Sequence, residues 1–168
     1  IHGVLRDHGN LESMRSYSAL VTGLDHNVGR IVNHLDKLGL RDNTLVVFTS
    51  DQGHNCGHHG LWGKGNATVP FNVYEESVQV PMIWNHPGMI RPSRVPQMVS
   101  SYDIFPTILD YLGVSAPADR QRVGRSYSGL VRGQKVPWEN EVFSSTATCG
   151  RFEPSDSSTL SGPRSGPV

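Results

Sequence analysis

Thr44-Leu-Val-Val-Phe-Thr-Ser-Asp51-Gln52-Gly53-His54 is the stretch on which the fold of this chain turns. It opens with an unbroken apolar and β-branched run, Thr44 to Phe48, and ends in an acid, an amide and a glycine. Such a run predicts a strand covered on both faces of a sheet. The carboxyl end of such a strand is where open α/β sheets gather ligands. Asp51 and Gln52 offer oxygen donors suited to a hard cation, and Gly53 lets the backbone turn sharply beside them. Asp followed soon by Gly is also ordinary loop chemistry, so these residues alone leave both readings open.

Upstream, Met14, Tyr17, Val21, Leu24, Val28, Ile31, Leu35 and Leu38 recur at threes and fours. That spacing predicts one long helix with an apolar face lying on the sheet, capped by Asn10 and closed by Gly39. Downstream, residues 49–70 carry Gly53, Gly57, Gly60, Gly63 and Gly65 with no long apolar period, the composition of a functional loop. Tyr74 to Ser77 predicts a helical turn. Val78 to Trp84 predicts a second buried strand, in which Pro81 marks an edge, a bulge or the strand start. Ser100 or Ser101 caps a helix through Tyr102, Phe105, Ile108, Leu109 and Leu112, ending at Gly113, with Pro106 tolerated near its first turn. Gly124 to Val131 reads as a turn with a helical turn, and Val142 to Ser144 as a weak strand. Ser, Pro and Gly dominate the end of the chain, and residues 146–168 are expected to form a flexible tail.

The length of 168 residues allows one domain with a real core. The formal net charge is zero and the basic residues are scattered, which argues against nucleic acid or an anionic membrane as partner. No apolar run reaches transmembrane length. Cys56 and Cys149 are too few and too far apart for a disulfide framework. His54, His58 and His59 fall close together among the eight histidines. With Cys56 they raise a zinc alternative, although their spacing matches no standard structural zinc pattern. The reading preferred here is that one imidazole supports the loop by hydrogen bonding and another faces an anionic substrate. Lys64 reads either as a point charge able to reach a sulfate or phosphate oxygen or as a solvated loop lysine. His2 and His8 read as solvated loop residues, and Asp25, His26 and Arg30 as surface or helix-end residues.

Five short motifs then stand in a telling order: Ser50-Asp51-Gln52-Gly53, His59-Gly60-Leu61-Trp62-Gly63-Lys64, Tyr74-Glu75-Glu76-Ser77, Val80-Pro81-Met82-Ile83 and Asp103-Ile104-Phe105-Pro106-Thr107-Ile108-Leu109. Together they resemble the C-terminal part of the sulfatase catalytic domain, within the alkaline-phosphatase-like superfamily. The resemblance runs from the long helix to about Phe143. It implies an α/β fold in which a central sheet is flanked by helices, with the upstream part expected outside this sequence. Residues 1–145 are then a partial sulfatase catalytic domain, followed by the tail at 146–168.

The resemblance also implies chemistry. Asp51 and Gln52 match the downstream pair of divalent-metal ligands, calcium by preference over magnesium. Many sulfatases have Asn or His at the second position, so Gln52 is a departure that retains a carbonyl donor. Lys64 matches the lysine that contacts the sulfate and the hydrated catalytic aldehyde, which makes it both catalytic and substrate-binding. His59 is assigned loop support, while Glu75 and Glu76 belong to a structural motif without a catalytic role. The aldehyde, formylglycine made from Cys or Ser, is expected upstream: Cys56 is followed by Gly-His-His-Gly and Cys149 by Gly-Arg-Phe-Glu, and neither stands in a Cys-x-Pro-x-Arg motif. The implied function of the intact protein is hydrolysis of an aryl or carbohydrate sulfate. The alternatives are a phosphate-ester or phosphonate hydrolase of the same superfamily, or an inactive sulfatase-like fragment. A sulfated small molecule or carbohydrate is the expected partner, in a lysosomal, periplasmic or extracellular setting. The sequence does not fix an oligomeric state.

Overall fold

A computed structural model describes residues 9–115, 123–145 and 149–152. The chain divides into two compact units, Ile1–Arg91 and Pro92–Val168, and the secondary structure is mixed α/β, as the sequence predicts.

The first unit begins with helix α1, Leu11–Lys37. Its start is fixed by Asn10, whose side-chain oxygen accepts the N–H groups of Glu12 (2.9 Å) and Ser13 (3.3 Å). Its end is fixed by Gly39, which enters the left-handed region at φ +66° and lets the Leu40 N–H reach back to the Leu35 carbonyl at 3.0 Å. Strand β1, Val46–Thr49, pairs antiparallel with β2, Met82–Asn85; Val46 stands opposite Asn85 and Thr49 opposite Met82. The Arg41 guanidinium on the Asn85 side chain and the His86 ring on the Asp42 carbonyl (3.0 Å) tie the approach to β1 to the end of β2. Strand β2 starts immediately after Pro81, one of the three outcomes that residue allowed, because proline can head a strand without forfeiting a ladder donor.

Two expectations are not met among the described residues. Val46, Val47 and Phe48 are only half-buried and Thr49 is exposed, so β1 is not covered on both faces. The sheet here is a two-stranded ribbon, too narrow to cover a strand from both sides. Nor does α1 lie on that sheet: none of its residues is buried, and Leu20 is 74% exposed. The helix meets the loop after β1 through Tyr17, whose ring packs on His54 and Trp62.

The second unit is organised around Asp103, only 4% exposed. One carboxylate oxygen accepts the Ser100 N–H (2.8 Å) while Ser100 Oγ accepts the Tyr102 N–H, a reciprocal cap for the turn Ser101–Asp103. The other oxygen accepts the Arg125 N–H at 2.7 Å and so ties in a distant segment. Helix α3, Ile104–Leu112, follows and stops at Gly113, with φ +67°. Thr107, fully buried, donates to the Asp103 carbonyl (2.6 Å) and accepts the Tyr127 N–H (3.0 Å). Tyr111, Tyr127, Leu130 and Val131 form the apolar centre, the last two from the short helix between α3 and the strands, Ser128–Val131. Strand β3, Val142–Ser145, pairs antiparallel with β4, Cys149–Phe152. The latter falls inside the span expected to be a tail, whereas residues 146–148 and 153–168 lie outside the described residues.

Candidate active site

The loop after β1 is built from its backbone outward. Ser50 Oγ donates to the Gln52 carbonyl at 2.8 Å, and the side chains of Asp51 and Gln52 are exposed. Gly53 is required for a reason other than the sharp turn expected of it. Its N–H bonds the Ser77 carbonyl at 3.0 Å, and a Cβ placed on it would stand 2.1 Å from the Glu76 carbonyl oxygen. The Asp-Gln-Gly turn therefore presses directly on α2, the short helix Glu75–Val78.

Beyond that contact the loop folds back on itself. The Asn55 N–H bonds the Gly63 carbonyl at 2.7 Å, Gly57 bonds Leu61 at 2.8 Å, and Leu61 returns to His58 at 2.9 Å. Cys56 and His59 adopt left-handed backbone angles, φ 48° and 56°, which side chains rarely accept. The structure separates the donors that raised the zinc alternative into two groups. His54 Nδ1 accepts the Cys56 N–H at 3.0 Å and lies 3.1 Å from Cys56 Sγ, with the imidazole stacked on Tyr17 and edge-on to Trp62. Burial holds His54 below the ordinary imidazole range, which keeps it neutral near pH 7. Burial, reinforced by the neighbouring Cys56, pushes the Tyr17 phenol up.

His58 and His59 turn to a different partner. His58 Nδ1 lies 2.9 Å from one Glu76 oxygen and His59 Nε2 lies 3.0 Å from the other, while His59 stacks on Tyr74 with ring centroids 4.0 Å apart. The Glu76 carboxyl is held below its usual range, first by a bond to its own backbone and then by His59 and His58, against the upward push of burial. Glu76 thus clamps the histidine turn to α2, a contact that the sequence signalled only as part of a short acidic motif.

Lys64 stands between Gly63 and Gly65. Its carbonyl accepts the Ala67 N–H at 2.8 Å and the Asn55 side-chain amide at 3.4 Å. Among the described residues, the side chains of Asp51, Gln52 and Lys64 make no hydrogen bond or ion pair, in contrast to the densely paired loop that carries them. Asp51 and Gln52 fit part of the oxygen shell of a hard cation, which takes six to eight such donors. Among the described residues, no group of three or more His, Cys, Asp and Glu side chains could hold a metal ion. A hollow of about 830 Å³ in the second unit is lined by Asp110, Arg125, Arg132 and Trp138 and includes none of these loop residues. Its two arginines are engaged with the carbonyls of Glu139, Glu141 and Tyr111. No described helix is long and apolar enough to cross a membrane.

Asp51 and Gln52 thus follow the carboxyl end of β1 with side chains unpaired among the described residues, and Lys64 stands further along the same glycine-rich loop. Comparison with known proteins shows the family: residues 5–114 match the Sulfatase family model, and the chain belongs to the sulfatase family. N-acetylglucosamine-6-O-sulfatase of Bacteroides thetaiotaomicron is 40% identical over 109 residues, 64% of this chain and 18% of that protein. Steryl-sulfatase of Rattus norvegicus is 34% identical over 140 residues, 76% of this chain and 24% of its own length. The solved structure of a protein in complex with its substrate D-glucosamine-2-N,6-O-disulfate superposes with a TM-score of 0.62 and 34% identity, covering 78% of this chain and 26% of that one. These values place the chain in the alkaline-phosphatase-like sulfatase fold. It spans 18–26% of the length of these relatives.

Proposed function

We propose that the intact protein is a sulfuric ester hydrolase and that residues 51–64 supply one part of its active site. The observation that carries this reading is the contrast within the loop: its backbone and most of its polar groups are paired internally, while the side chains of Asp51, Gln52 and Lys64 have no partner among the described residues. Unpaired charged groups on an ordered support are what electrostatic catalysis requires, because such groups need no rearrangement when charge develops. In this reading the Lys64 ammonium donates to a sulfate oxygen, binding the substrate and stabilising the charge that grows on it. Asp51 and Gln52 would hold a calcium ion, with magnesium fitting less well, and that ion would supply Lewis-acid polarisation of a sulfate oxygen. His59, with His58, supports the loop through Glu76 and takes no part in proton transfer. Neither cysteine stands in a Cys-x-Pro-x-Arg motif, so neither is assigned as the catalytic nucleophile.

A sulfated carbohydrate is the substrate class favoured by the relative bound to a disulfated glucosamine and by the N-acetylglucosamine-6-O-sulfatase. A second reading, phosphonate or phosphate-ester hydrolysis, is kept because the phosphonate monoester hydrolase from Silicibacter pomeroyi superposes with a TM-score of 0.66 at 32% identity. Parallel kinetics of the full-length enzyme on a sulfate ester and the matching phosphate ester test the choice. A higher kcat/KM for the sulfate ester supports the first reading, and a higher value for the phosphate ester replaces it with the second.

A further inference from the structure

Lys64 presents a mechanical problem, because it lies between two glycines. Gly63 and Gly65 give the backbone on either side the widest conformational freedom of any residue, which would let the ammonium wander. Three side chains remove that freedom. Asn55 is fully buried, and its amide nitrogen donates to the Gly63 carbonyl at 3.0 Å and to Ser77 Oγ at 3.0 Å, with the Lys64 carbonyl at 3.4 Å. Ser77 Oγ passes the chain on to Asn72 Oδ1 at 2.6 Å. Asn72 closes it on the far side of the lysine, donating both its backbone N–H (2.9 Å) and its side-chain amide (3.1 Å) to the Gly65 carbonyl.

The carbonyls before, at and after Lys64 are thus held by one continuous network, itself anchored on α2 through Ser77. Asn55 is the element most costly to keep. Its side-chain oxygen is buried without a hydrogen-bond partner, and a buried unsatisfied acceptor is a penalty that packing alone does not explain. The amide orientation is nevertheless fixed, since turning it over would aim that oxygen at the Gly63 and Lys64 carbonyl oxygens, which cannot donate.

We infer that Asn55 is a positioning residue for Lys64, acting through the Asn55–Ser77–Asn72 network to hold the ammonium at its working position. This inference rests on the proposed role of Lys64 in sulfate-ester hydrolysis.

A double-mutant cycle in the full-length enzyme tests it, with kcat and KM measured on a sulfate ester. In the wild-type background, Asn55→Ala lowers kcat by about 100-fold, the loss expected for a misplaced catalytic group, with a smaller change in KM. In a Lys64→Ala background the same substitution changes kcat by no more than about twofold. Ser77→Ala, which removes one link and leaves Asn55 in place, shows the same background dependence at smaller size and covers the case in which Asn55→Ala does not fold. Equal fold-losses in both backgrounds would overturn the inference and make the network merely structural. If Lys64→Ala itself left turnover unchanged, the proposed role of Lys64 would fail first, and the positioning role would fall with it.

Discussion

Gly53 lies so close to Glu76 that a Cβ on the glycine would stand 2.1 Å from the Glu76 carbonyl oxygen. The contact is backbone against backbone, so no side-chain rotation relieves it. Gly53→Ala is therefore expected to force the Asp51–Gln52 turn away from α2 and to cost about 1–3 kcal/mol or more. Denaturant unfolding of the full-length protein measures this, and a change within about 0.5 kcal/mol would show that the turn has room to move.

The clamp from Glu76 to His58 and His59 should depend on pH in a defined direction. The folded-state pKa of Glu76 is lowered, so its contribution is fully present above the ordinary carboxylate range and is lost as pH falls through the folded-state value. Glu76→Gln is expected to reduce stability by about 0.5–1 kcal/mol at neutral pH, as partly exposed pairs do. The difference between wild type and variant should close on acidification. Urea midpoints measured across the acid range test this, and a gap that widened as pH fell would contradict it.

His54 should titrate the opposite way from a paired histidine. Its folded-state pKa is lowered by burial, so protonation favours the unfolded chain and stability declines as pH falls below the ordinary imidazole value. An NMR titration of the His54 ring should give a midpoint below those of exposed histidines. Replacing Tyr17 with Ala removes one stacked and one edge-on ring contact, about 0.5–1.5 kcal/mol each, and should move the His54 midpoint upward by admitting water. A midpoint that stayed fixed in that variant would show that α1 does not shield the ring.

Asp51→Ala is expected to lower the calcium content of the purified full-length protein, read by elemental analysis independently of turnover. Removing one charged donor weakens a hard-cation site directly. Unchanged metal content would remove Asp51 from the ligand set.

What the sequence made legible was local. Asn10, Gly39 and Gly113 mark helix ends because each acts on groups within a few residues, and the structure places helix ends at all three; of the two candidate caps Ser100 and Ser101, it selects Ser100. Pro81 left an edge, a bulge or a strand start open within an expected strand Val78–Trp84, and the structure starts β2 just after it, at Met82. Distant relationships were not legible. The antiparallel register of β1 on β2 joins residues roughly thirty-three to thirty-nine positions apart, from Thr49 opposite Met82 to Val46 opposite Asn85, and no single residue announces it. Strand β4 was missed because Cys149-Gly-Arg-Phe152 has no apolar alternation and gains its conformation by pairing with β3.

The candidate site divides along the same line. Asp51, Gln52 and Lys64 stand out by residue type and motif, since chemistry of that kind is carried by side chains that face outward. Asn55 and Asn72 are ordinary polar loop residues in the sequence, and Ser77 stands out only as the last residue of the Tyr74–Ser77 motif. Their significance comes from the burial of Asn55 and Ser77 and from a shared network that only the folded chain assembles. Glu76 belongs with them: its neighbours His58 and His59 lie eighteen and seventeen residues away, and the pairing depends on where α2 meets the loop.

The most direct test is kcat for sulfate-ester hydrolysis by the full-length enzyme and its Lys64→Ala variant, measured side by side with thermal unfolding of both. Turnover should fall by about 100- to 1,000-fold, the size of a lost charge-stabilising donor, with the unfolding temperature nearly unchanged because the ammonium has no partner among the described residues. Equal turnover in the two proteins would contradict the assignment of this loop to the catalytic centre.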